Sequence, residues 1–430
     1  MIALRAWMRS PSLLASILAG VMILPFFFLV VRTPSVFEGG LLFSGHQWLT
    51  TGEFIYGPAY PPGIPLLFAG LEFFLGSLSS LAAVLVQLFV YIAGALLWER
   101  VLRIWFSEGR QRLVVLLISF ANPYFLWLVL TSKDTAFEWF ATAFFFFALI
   151  PFLSSRPVGR RAILNILLLG LAMTIGILVR ATLGPIFMSI ILVACVLGAR
   201  ELRAQLGRGI LICALFFLGF LGYQVVRYDY LGLSSTMGVN MYLGQHPLYQ
   251  YAHPQHDLDV FLAPAISTEI ADGYSPQGDR AFRELALREI VSDPVRFVAV
   301  SLRKTLWHWV NFEKIPQLSA NSRILQVSTG RLEIATDTMR YAPSLLYTMY
   351  KIFYIPAFIL ALFFWVRRRA WRSTIILTGV PMVILWPILI LTFPDTRFKI
   401  VAEVVLMAFI AFELFPILHP SSFLSKKKIG

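Results

Sequence analysis

Long apolar runs separated by short polar turns dominate the chain. They fall near 12–31, 78–98, 113–131, 135–153, 162–179, 182–199, 209–226, 343–366, 373–393 and 399–418. A helix needs about 20 mostly apolar residues to cross about 30 Å of hydrocarbon. The pattern therefore predicts an all-α polytopic membrane protein with about ten transmembrane helices. Two polar segments, 32–77 and 227–342, interrupt it. They divide the chain into an N-terminal transmembrane module (1–226, with the loop 32–77 inside it), a loop region (227–342) and a C-terminal set of helices with a basic tail (343–430).

Shorter periodicities organise the two polar segments. Residues 36–50 have the apolar spacing of a short amphipathic helix, with Glu38 near its start. In "GPAYPPG" the prolines fix φ and Gly63 lets the chain turn back. Residues 64–75 then read as a half-buried segment before the second span. The stretch "DGYSPQGDRAFRELALREIVSDP" predicts a solvent-exposed amphipathic helix of mixed charge. Next, "SDPVRFVAVSLRKTLWHWVNFEK", residues 292–314 with Asp293 and Pro294 marking its start, is read as an interfacial amphipathic helix with Trp307 and Trp309 at headgroup level.

Composition changes the picture only by exclusion. Of 430 residues, 58% are hydrophobic and 14% charged, more apolar surface than a soluble protein of this length hides. The net charge of +13 invites a nucleic-acid reading. Its distribution answers otherwise: "WERVLRIWFSEGRQR", "SSRPVGRR", "ARELRAQLGR" and "RRRAWR" follow the second, fourth, sixth and eighth runs, and "KKK" follows the last. Every even-numbered turn is basic and these turns share one side, so the positive-inside rule predicts cytoplasmic termini. The basic start and long apolar run of residues 1–31 read as a signal anchor. Cys195 and Cys213 sit inside apolar runs as small core residues.

The opposite side carries the chemistry. Its turns are "TSKDT", "VRAT" and "FPDTRFK", together with the two polar segments. A charge at the centre of a membrane helix costs about 2.5–3.5 kcal/mol, so Lys133, Asp134 and Glu138 fit a turn rather than a mid-span position. Asp134 and Glu138 are four residues apart and share a helix face. Lys133, Asp134, Arg180, Asp395 and Arg397 come from separate turns on one side, which predicts an outer cavity lined by cations and a few carboxylates. Arg303 and Lys304 run against the positive-inside trend and ask for an anionic partner, a lipid headgroup or a bound phosphate. His253, His256 and Asp257 hint at a metal, but Pro254 separates the histidines and no second cluster completes a ligand set.

These stretches, in this order, resemble the GT-C class of integral membrane glycosyltransferases, especially bacterial protein O-mannosyltransferases and lipid A aminoarabinose transferases. The resemblance rests on Glu38 in the first outer loop, "YPPGIPLLFAGLEFFLG", "LTSKDTAFEWF", "GILVRATLGPIF", "DRAFRELALREIVSDPVRFV" and "FPDTRFKIVAEVVLM". One departure stands out: the family places an Asp or Asp-Glu pair where this chain has Glu38, with Glu53 further on. The resemblance implies a polyprenyl-phosphate sugar as donor and a lipid, glycan or protein as acceptor. It also implies a bacterial inner membrane and a periplasmic active site. Glu38 is then the base that takes the acceptor proton, with inversion at the sugar carbon. Lys133, Arg180, Arg303, Lys304 and Arg397 are candidates for the departing phosphate, with Arg180 and Arg397 ranked first because a guanidinium binds phosphate bidentately. Asp134 orients Lys133 or contacts the sugar, Asp395 holds Arg397, and Tyr60 and His46 complete the substrate side. No cofactor is implied, although a divalent cation is compatible with the carboxylates.

Two rival functions share much of this pattern. A polymerase or ligase of lipid-linked glycans also combines many spans with outer arginines. A lipid-linked sugar flippase or transporter predicts charges along the bundle interior. The acidic first loop and the Pro-Pro-Gly turn favour the single-sugar transferase.

Overall fold

The structure is a computed structural model. It describes residues 11–32, 40–54, 57–59, 61–76, 79–103, 105–106, 108–120, 125–126, 129, 134–154, 159–197, 200–232, 234–245, 275–310, 352–361, 363–364, 366, 391, 405 and 407–414. Among these, every regular element is a helix: α1 (Pro11–Arg32), α2 (Gly40–Thr51), α3 (Gly63–Leu75), α4 (Ser79–Leu102), α5 (Gly109–Phe120), α6 (Thr135–Ser154), α7 (Arg160–Val179), α8 (Leu183–Leu197), α9 (Arg200–Tyr228), α10 (Met237–Gln245), α11 (Pro276–Ser292) and α12 (Pro294–Val310). Hydrocarbon offers no partner for backbone N–H and C=O groups, so apolar runs of this length satisfy them internally as helices.

Among the described residues, four segments are long and apolar enough to cross a membrane: Ala82–Leu102, Thr135–Leu153, Arg160–Val179 and Glu201–Tyr228. Shorter apolar helices cover Pro11–Leu24, Gly63–Leu75, Leu183–Val196 and Ile352–Ala361. The expected runs at 373–393 and 399–418 lie mostly outside the described residues, with 407–414 helical.

The core is an aromatic knot between α4 and α6. Tyr91, Ala95, Trp98 and Leu102 line one face of α4, and Ala136, Trp139, Ala143 and Phe146 line one face of α6. Steps of three and four keep each set on one side of its helix. Trp139 stands in the middle, its ring 4.7 Å from Phe125 and 5.8 Å from Trp98. It reaches there because residue 94 is glycine: a Cβ at that position would lie 2.5 Å from the Trp139 indole nitrogen. Helix α1 joins through Ala15, Ala19 and Ile23, the two alanines permitting a close approach. By contrast α9 leaves Leu211, Leu215, Phe216, Leu218 and Val226 exposed, the surface a lipid-facing helix presents.

Helices α4 and α6 run parallel. Ala83 meets Phe137 at one end, and Trp98 meets Phe146 further along, with ring centroids 5.6 Å apart. The far end is fastened by Glu99, which is fully buried. An unpaired buried carboxylate would be costly. Ser12 donates to it at 2.7 Å, Arg103 at 3.0 Å and Arg112 at 2.8 Å, so one side chain ties α1, α4 and α5 together.

Helices α10 and α11 form a separate small core around Tyr242 and Phe282, whose ring centroids are 5.3 Å apart. The α11 helix buries the face that carries Phe282 and Ala286, and that face includes the charged Asp279. Asp279 is buried there, accepting from the Gly238 N–H at 2.5 Å and pairing with Arg283. Tyr230 nearby donates to the Ser234 carbonyl at 2.8 Å. Burial pushes its hydroxyl up to about 12, and the Asp279 charge adds to the effect. Ser275 caps α11 by accepting from the Gly278 N–H at 3.0 Å, with Pro276 in the first turn. Asp293 accepts from the Arg296 N–H at 2.8 Å and opens α12, where the sequence places the start.

Candidate functional site

The end of the bundle opposite Glu99 gathers the turn before α6, the turn after α7 and the turn into α3. Asp134 sits just ahead of α6, and its carbonyl accepts the Glu138 N–H at 2.8 Å. That puts both carboxylates at the N-terminal end of α6, Glu138 in its first turn and Asp134 just before it, where the helix dipole favours negative charge. Arg180 closes α7 in an extended conformation and accepts the Leu183 N–H at 3.0 Å, so it occupies the tight turn into α8. Its guanidinium donates to Glu138 at 2.6 Å and lies 3.6 Å from Asp134. The side chains of Glu138, Arg180 and Asp134 are 5%, 12% and 26% exposed, so the constellation opens outward only at Asp134.

Sequence reasoning left Glu138 without a role. Its spacing from Asp134 was readable, but its partner stands 42 residues downstream on another helix end. Asp134, expected to orient Lys133 or contact the sugar, lies beside Arg180, and Lys133 is outside the described residues. Arg180, ranked first for phosphate, has a carboxylate as its nearest described partner.

The turn into α3 is packed against this cluster. A Cβ on Gly63 would lie 2.7 Å from the Leu178 carbonyl, so only glycine lets the Pro-Pro-Gly turn meet the end of α7 two residues before Arg180. Ile64 and Phe68 of α3 pack with Phe137 of α6, and Val179 covers them. Phe68 and Phe137 meet edge to face with centroids 6.2 Å apart. One turn of α6 therefore carries both the apolar anchor, Phe137, and the charged residue, Glu138.

The remaining described candidates lie apart from this pair. His46 on α2 bonds to Glu72 on α3 across the packed α2–α3 unit. Beyond α2, Glu53 pairs with Arg227 at 2.5 Å, and Tyr223 donates to the Gly52 carbonyl at 3.3 Å, bordering an open groove at the end of α9. Arg303 is exposed on α12, whereas Lys304 beside it is fully buried. Burial alone pushes the Lys304 ammonium down to about 7. Glu38, Tyr60, Lys133, Asp395, Arg397 and the His253–Asp257 stretch lie outside the described residues. No group of three or more His, Cys, Asp or Glu able to hold a metal occurs among the described residues.

No family model matches the chain, and no curated protein matches it. Solved structures do. The apo oligosaccharyltransferase of Archaeoglobus fulgidus is 16% identical, with a TM-score of 0.53 over 98% of this chain and 52% of that one. The archaeal oligosaccharyltransferase AglB of the same organism, in complex with an inhibitory peptide and a dolichol-phosphate, is 14% identical. It has a TM-score of 0.48 and covers 99% of this chain and 52% of its own. The chain thus spans about half the length of these structures. At this identity the likeness is one of fold: the described residues, all-helical and with helices of membrane-spanning length, share the fold of the archaeal oligosaccharyltransferase.

Proposed function

We propose that the chain is a GT-C membrane glycosyltransferase. It moves a sugar from a polyprenyl-phosphate donor to a lipid, glycan or protein acceptor on the non-cytoplasmic face. The observation that carries this reading is the Asp134–Glu138–Arg180 constellation, wedged against the Pro-Pro-Gly turn at one end of a GT-C bundle. In this reading that end is the periplasmic face of a bacterial inner membrane. About ten spans hold both termini in the cytoplasm. Residues 1–226 carry the catalytic loop, 227–342 the periplasmic helices and 343–430 the closing spans.

The reaction asks for a base and for fixed cations. The acceptor oxygen attacks the anomeric carbon while Glu38 takes its proton; the bond from that carbon to the phosphate oxygen breaks, and the lipid phosphate leaves with its electron pair. Arg303, Lys133 and Arg397 meet the departing phosphate, with Asp395 holding Arg397. Asp134, held beside Arg180, borders the sugar. His46 and Tyr60 stand on the acceptor side, and Lys304 serves as a packing residue behind Arg303.

Purified protein supplied with polyprenyl-phosphate sugars and envelope acceptors should release polyprenyl phosphate. Glu38→Gln should slow release by roughly a hundred-fold or more. Full activity in that variant removes Glu38 as the base. No consumption of any sugar lipid, with lipid translocation in vesicles instead, replaces the transferase by a transporter.

A further inference from the structure

Two carboxylates and one guanidinium share the end of α6 and α7. Their burial is graded: Glu138 and Arg180 are enclosed, while Asp134 is the most open of the three. The shorter contact is also the more enclosed one, 2.6 Å to Glu138 against 3.6 Å to Asp134. A guanidinium in a charge-assisted bond to a buried carboxylate has its charge largely matched inside the protein. What such a cluster turns outward is then the carboxylate of Asp134.

We propose that Glu138 is a positioning residue, the internal counter-ion that holds and neutralises Arg180 at this wall of the site, a role independent of the transferase reading. Trp139, the next residue, is locked among Tyr91, Trp98, Phe120 and Phe125, so the first turn of α6 cannot rotate to release Glu138. Arg180 is equally fixed, because its backbone closes α7 and opens α8.

The local charge can be read without any substrate. In full-length protein carrying Cys195→Ala and Cys213→Ala, Asp134→Cys supplies one thiol at the mouth of the cluster. Its reaction rates with a cationic and an anionic methanethiosulfonate are measured in detergent. Adding Glu138→Gln should shift the ratio by about ten-fold toward the anionic reagent, since one uncompensated charge nearby acts oppositely on the two. Adding Arg180→Gln should shift it by a similar factor the other way, and this second variant decides the matter if the first does not fold. Glu138→Asp keeps the charge and should stay within about two-fold of the parent. The charge of Lys133 is common to all arms and cancels. An unchanged ratio in Glu138→Gln, or an equal shift in Glu138→Asp, overturns the proposal. A protein that shows the shift yet consumes no sugar lipid sinks the transferase reading and leaves the counter-ion in place.

Discussion

Replacing Lys304 by methionine should stabilise the protein at neutral pH and remove part of its pH dependence. The ammonium is fully buried on α12, and burial lowers its pKa from the ordinary 10.5 to about 7. That difference of 3.5 units (10.5 minus 7) corresponds to roughly 5 kcal/mol of penalty on the charged form, at about 1.4 kcal/mol per unit. The sign follows from proton counts. Between about 7 and 10.5 the unfolded chain keeps the proton and the folded chain sheds it, so stability rises with pH through that window. Below about 7 both states are charged, and the folded state carries the full penalty.

Thermal or denaturant unfolding in detergent, followed by tryptophan fluorescence from pH 6.5 to 9.5, reads this directly. Wild type should gain on the order of 2–3 kcal/mol between pH 7 and 9. Lys304→Met, close in volume and without a charge, should lack that gain and be more stable than wild type at pH 6.5. Arg303→Met, at the exposed neighbouring position, should keep the wild-type slope. An identical slope in wild type and Lys304→Met would refute the reasoning, because the titrating group would then lie elsewhere.

Two further substitutions probe the bundle itself. Gly63→Val places a side chain within 2.7 Å of the Leu178 carbonyl, so it should lower the melting temperature and detach α3 from α7, measurable as faster hydrogen exchange in residues 61–76. Glu99→Gln leaves Arg112 without its buried counter-charge and should cost about 3–5 kcal/mol, read from unfolding at neutral pH; a loss under about 1 kcal/mol would place the fastening elsewhere.

Much of the architecture was legible because hydrophobic runs fix helices where no water competes for the backbone. Both ends of α7 and the starts of α6 and α12 fall within a few residues of the boundaries the sequence predicts. Long-range polar pairing was not legible. Glu138 and Arg180 are each ordinary helix-end charges until two turns are brought together. The same holds for Asp279, whose helix has the charge pattern of a solvated one; its burial depends on α10, which lies within a stretch that reads as a polar loop. The burial of Lys304 was not legible either: Val300 one turn earlier packs into the α10–α11 core, and Lys304 shares that face.

The Glu99 fastening bears on how the chain is made. Its carboxylate emerges from the ribosome at the close of α4, long after Ser12 and ahead of both arginines. Arg103 follows by one helical turn and can shield the charge almost at once, while Arg112 arrives 13 residues behind Glu99. The acid therefore never waits long for an escort during insertion. Only when α5 has turned back beside α1 do all the partners meet, so completing this junction marks the moment at which the first hairpins are correctly threaded.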